Sequence, residues 1–72
     1  MQVLIFRTNI DSEGRLRHIR PLFVNHPKVS EWSVDMEDCD HVLRIVCSKT
    51  LNEGHIIYLV NFCGYRCELL ND

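Results

Sequence analysis

Val29-Ser30-Glu31-Trp32-Ser33-Val34-Asp35-Met36 sets Trp32, Val34 and Met36 against Glu31, Ser33 and Asp35, with Glu37 continuing the polar side. Alternation with a period of two marks a strand with one buried face. Glu37-Asp38-Cys39-Asp40 then forms a polar turn, and His41 to Cys47 alternates again, with Leu43, Ile45 and Cys47 opposite Val42, Arg44 and Val46. Two such runs joined by a short polar turn predict a β-hairpin in the middle of the chain.

Upstream, Val3 to Thr8 is rich in strand formers, with Leu4, Phe6 and Thr8 on one face and Val3, Ile5 and Arg7 on the other. Both faces are partly apolar, which suits a central strand or a face that meets a partner. Asn9-Ile10-Asp11-Ser12-Glu13-Gly14 offers Asp11 and Ser12 as N-caps, and Glu13 suits the positive end of a helix. Leu16, Ile19, Leu22 and Phe23 then draw an apolar stripe, while Arg15, Arg17, His18 and Arg20 fill the remaining circumference. Pro21 lies inside this pattern and removes a backbone donor, so a kink or a helix in two pieces is expected before Asn25-His26-Pro27 closes it.

Downstream, Thr50-x-x-Glu53 has the spacing of a capping box ahead of Ile56, Leu59, Val60 and Cys63. Gly64 is the natural stop of this second helix, and Tyr65 to Leu70 alternates as a last strand. The order strand, helix, strand, strand, helix, strand predicts an α+β, ferredoxin-like βαββαβ sandwich: a four-stranded antiparallel sheet with both helices on one face. Residues 1–72 are expected to form a single domain, since a chain of 72 residues has room for one modest core.

Composition narrows the function classes. A hydrophobic content of 46% with 25% charged residues is that of a folded unit, not a disordered tail. Eight Lys and Arg against ten Asp and Glu give a net charge of −2, which argues against nucleic acid as a partner. Met1 to Phe6 is apolar, but Arg7 ends the run too early for a signal sequence or a membrane span. A cytoplasmic protein with free thiols is therefore expected, although the Cys63-x-x-x-Cys67 spacing leaves a disulfide open.

The hairpin residues Val29 to Asp35, followed by Val42-Leu43-Arg44-Ile45, Ile56-Ile57 and Cys63-Gly64-Tyr65, give the chain a resemblance to the heavy-metal-associated domain. The resemblance covers nearly the whole chain, and it implies the ferredoxin-like fold and a soft-metal site in the first strand-to-helix turn. Counting back from Val29, the two metal-binding cysteines of that family would fall near Ser12 and Arg15. Neither supplies the thiolate that Cu(I) or Zn(II) favours, and Arg15 adds positive charge where a cation would bind.

Two functional readings follow. The first is a non-enzymatic interaction module that has lost the usual soft-metal site, with Val3, Ile5, Val42 and Val46 on the sheet face away from the helices available for a protein partner or for self-association. Arg7, Arg44, Asp35 and Ser33 share that face and oppose the idea. The second is a Cu(I) or Zn(II) carrier using relocated thiols, because the topology brings the turns bearing Cys39, Cys63 and Cys67 toward the same end of the sheet. Against it, Cys63 continues the stripe of the second helix, Cys47 and Cys67 fit inward strand positions, and free cysteine commonly packs as a small apolar residue.

Other chemistry lacks its parts. His18, His26 and His55 have no partner at a ligand spacing, and His18 and His55 read as solvated helix positions. His41 beside Asp40 offers at most an oriented imidazole, and the acidic residues from Asp35 to Asp40 lack the glycine and terminal glutamate of a calcium loop. There is no phosphate loop and no nucleophile beside a base, so an enzyme is not expected. The His41 to Cys47 strand has no aromatic residue of the kind an RNA-recognition sheet uses.

Overall fold

The computed structural model describes residues 1–70, and the alternating and helical patterns become β1 (Gln2–Thr8), α1 (Glu13–Val24), β2 (Val29–Asp35), β3 (Val42–Cys47), α2 (Glu53–Phe62) and β4 (Cys67–Leu69). The sheet order is β2-β3-β1-β4, with every pairing antiparallel, which is the ferredoxin-like arrangement. The two-sided apolar strand β1 lies between β3 and β4, as its composition requires. Residues 71 and 72, the end of the expected single domain, lie outside the described residues.

One core forms between the sheet and the helices. Leu4 and Phe6 of β1, Leu43, Ile45 and Cys47 of β3, Ile19 and Phe23 of α1, and Ile56 and Val60 of α2 are buried together. Each large apolar side chain so buried contributes about 1.5–3 kcal/mol. Trp32 packs against this core from β2, its ring 5.6 Å from that of Phe23. A register shift between Val29 and Glu31 lets both Val29 and Trp32 pack inward, which strict alternation forbids, and the Ser30 hydroxyl donates to the Val46 carbonyl at 3.1 Å.

Four local expectations need correction. Pro21 does not divide α1, which runs unbroken from Glu13 to Val24. Its side chain is exposed, the missing donor lies near the helix end, and Ile19 and Phe23 anchor the helix on either side of it. The N-cap of α2 is Asn52, whose side chain accepts from the His55 N–H at 2.9 Å. Thr50 instead shares a hydroxyl hydrogen bond with Ser48, so the capping-box reading fails by two residues.

The remaining two corrections concern strand ends. β3 begins at Val42 because His41 takes a φ of +43°, a left-handed conformation that cannot extend a strand. β4 keeps only Cys67 to Leu69 of the expected Tyr65 to Leu70. Tyr65 is engaged by the helix stop: its N–H donates to the Val60 carbonyl at 3.3 Å and that of Gly64 to Asn61 at 2.9 Å, while Gly64 adopts a φ of +93°. This is a Schellman closure, and glycine is the residue that enters it without strain. The Arg66 N–H is in turn taken by the Asn9 side chain at 2.8 Å.

Candidate functional site at the first turn

Three connections meet at one end of the sheet, and Thr8 ties two of them. Its hydroxyl is buried, donates to the His41 carbonyl at 2.6 Å and accepts from the Ile10 N–H at 3.1 Å, while its own N–H donates to the Asp40 carbonyl at 3.1 Å. Asn9 adds the third connection through its bond to Arg66. Ile10 is fully buried and packs beneath the turn as part of the core, a role its polar neighbours conceal in the sequence.

Ser12 is the N-cap of α1, its hydroxyl accepting from the Arg15 N–H at 3.3 Å. The Arg15 side chain folds back over the turn. One terminal nitrogen donates to the Asn9 carbonyl at 2.9 Å, Nε lies 3.4 Å from the Asp11 carboxylate, and the guanidinium carbon sits 5.7 Å from the centre of the Tyr65 ring. A backbone carbonyl, a carboxylate and an aromatic face thus surround one fixed positive charge. Tyr65 also stacks with His18, at 6.1 Å between ring centres, and its hydroxyl makes a hydrogen bond to His18 Nδ1.

The cysteines are reduced and occupy different environments. Cys39 is exposed in the hairpin turn, Cys63 is half-buried at the C-cap of α2, and Cys47 and Cys67 are buried. Cys67 faces the core from β4, paired with Thr8, and burial, with a smaller contribution from the Glu68 charge, pushes its thiol up to about 12. Among the described residues, one group of three or more metal-ligating side chains has its ligand atoms within 4.8 Å of one another, Asp38, Cys39 and Asp40. Cys39, Cys63 and Cys67 do not converge at that distance. Asp40 is also engaged by Arg7, whose Nε lies 3.2 Å away, while His41 Nδ1 is buried without a hydrogen-bond partner.

Sequence spacing missed the histidine partners. His26, after α1, and His55, in the first turn of α2, bring their Nε2 atoms to 3.4 Å at the opposite end of the sheet. They are 29 residues apart, as His18 and Tyr65 are 47 apart, so only the fold reveals either pair. His26 Nδ1 accepts from the Lys28 N–H at 3.1 Å. Partial burial, followed by the nearby His55 and Lys28 charges, lowers the pKa of His26 below 6.5.

The open face of the sheet carries the residues proposed for contact. Val3, 48% exposed, lies directly opposite Val46, and Ile5 lies opposite Arg44, which pairs with Ser33 on its other side. Glu31 flanks Val46, and Asp35 flanks Val42. The apolar stretch is therefore short and rimmed by charge. The concavities lie elsewhere: one of about 250 Å³, between α1 and β2, is lined by Glu13, Leu16, Arg17, Arg20 and Trp32, without a nucleophile or a histidine.

No protein-family profile and no curated protein matches the sequence. Solved structures do match in shape. The yeast copper transporter domain Ccc2a, solved in apo and Cu(I)-loaded states, superposes with a TM-score of 0.82 at 14% identity, over 100% of this chain and 99% of that one. The Atx1–Cu(I)–Ccc2a complex gives a TM-score of 0.84 at 14% identity with the same coverage. A copper-binding domain from HMA7, a P-type ATPase, gives 0.81 at 15% identity, over 99% and 96% of the two chains. The chain has the fold of the heavy-metal-associated domains. Among the described residues, no helix is long and apolar enough to cross a membrane.

Proposed function

We propose that this chain is a small non-enzymatic interaction module of heavy-metal-associated fold, working in the cytoplasm, in which the first turn no longer grips a soft metal. The observation that carries this reading is Arg15. Its guanidinium is held by the Asn9 carbonyl, the Asp11 carboxylate and the Tyr65 ring at the turn where the resemblance puts two thiolates. A tethered cation there repels a second one, and neither Ser12 nor Arg15 donates sulfur. The complex of Atx1 with Ccc2a is a precedent for domains of this shape meeting protein partners.

On this reading the contact surface is the open sheet face around Val3, Ile5, Val42 and Val46, meeting a protein or a second copy of the chain. Sedimentation of the wild type against Ile5→Glu tests it. The wild type associates with itself or with a partner captured from its native source, and the variant does not while keeping its fold. Equal association by both proteins overturns the choice of face.

A second reading is a Cu(I) or Zn(II) carrier based on Cys39, Cys63 and Cys67. It is favoured by the approach of the Cys39 sulfur to the Asp38 and Asp40 carboxylates, and by the copper-binding neighbours of the same fold. It requires movement that unites the three thiols and deprotonates Cys67. Competition for Cu(I) and for Zn(II) between the reduced protein and a chelator decides it: tight binding of either ion that is lost in a Cys39→Ser, Cys63→Ser double variant supports the carrier, and equal weak binding of both ions by both proteins removes it.

A further inference from the structure

We infer that His26 and His55 form a bidentate imidazole clamp for Zn(II), separate from the first turn and its cysteines. The separation of the two Nε2 atoms is the first support. At 3.4 Å, the length of a long N–H···N hydrogen bond, the spacing also suits an ion between the two nitrogens. It matches a shared tetrahedral ion: with metal–nitrogen bonds of about 2.0–2.1 Å, two ligating nitrogens stand about 3.3–3.4 Å apart.

Ring orientation is the second support. The ring centres are 5.5 Å apart, farther than the Nε2 atoms, so both imidazoles turn these nitrogens toward each other, and the planes meet at 71°. His55 stands on the first turn of α2, below the Asn52 cap, and the His26 backbone is pinned by bonds to Phe23 and Val29. The clamp is therefore set by two rigid segments. Among the described residues, no third metal-ligating side chain completes a group with this pair, which leaves the remaining positions to water or to a donor from another molecule.

Loading the clamp carries a built-in signature. In the empty protein His26 Nδ1 accepts from the Lys28 N–H, so the ring proton sits on Nε2 and points toward His55. An ion on Nε2 needs that lone pair, so the proton moves through solvent to Nδ1 and the Lys28 N–H loses its acceptor. The charge of Lys28 opposes the ion and limits its affinity.

Titration of the full chain with Zn(II), followed by amide and imidazole NMR, tests the inference. One ion per chain is expected to perturb both imidazoles and the Lys28 amide, whose hydrogen exchange accelerates. His26→Gln and His55→Gln should each weaken binding about a hundredfold, the gain that a second tethered donor supplies. His55 is exposed, so its variant is expected to fold and keeps the test decisive. Cys39→Ser should change nothing, and Lys28→Gln should tighten binding. Full affinity in His55→Gln, or perturbations confined to Asp38–Asp40 and the cysteines, overturns the clamp.

Discussion

The two ends of the sheet treat positive charge in opposite ways. At the first turn, Arg15 brings its own cation and the surrounding groups solvate it: the Asn9 carbonyl, the Asp11 carboxylate and the Tyr65 ring. At the far end, His26 and His55 direct two ring nitrogens at one another, with no side-chain cation between them. One scaffold thus carries a tethered cation at one end and two facing imidazoles at the other.

The most damaging way to break this contrast is to empty the core beneath the first turn. Ile10→Ala should cost about 2–5 kcal/mol, measured by chemical denaturation, because Ile10 is fully buried. The His26–His55 contact should survive in the folded fraction. A smaller effect is expected from Thr8→Val, which keeps the shape but leaves the Ile10 N–H and the His41 carbonyl without their hydroxyl partner. Denaturation should register a loss of about 1–3 kcal/mol, and amide exchange should quicken from Asn9 to Arg15 before it changes around Lys28.

The gentlest probe is pH. The Cys67 thiol is held up to about 12 against an ordinary 9.0. The unfolded chain therefore loses this proton first, so the stabilisation is fully present below pH 9.0 and declines as pH rises toward about 12. Alkylation at pH 9 should label Cys39 rapidly and leave Cys67 protected until the protein is denatured. Equal labelling of Cys39 and Cys67 in the native state would mean that Cys67 is not held in the core.

Much of this was legible in the sequence, for a local reason. Alternation in β1, β2 and β3, the stripes of both helices and the Gly64 stop depend on neighbours within a few residues, and each appears in the structure. The resemblance also pointed to Ser12 and Arg15, which the structure places as the N-cap of α1 and as a side chain folded over the first turn. What could not be read depends on contacts between distant residues. Ile10 looked like part of a polar loop, although the turn folds it inward. Thr50 looked like a cap until Ser48 claimed its hydroxyl. His26 and His55 lie on separate elements, and no spacing rule joins residues across a βαββαβ crossing.

The central claim, that the first turn has exchanged a soft-metal grip for a tethered arginine, is tested most directly by Cu(I) titration against a competing chelator. The reduced wild type should be compared with a Ser12→Cys, Arg15→Cys double variant. The account predicts only weak background binding by the wild type and one tightly held Cu(I) in the variant, where two thiolates face each other across the first turn of α1. Equally tight binding by the wild type would contradict it.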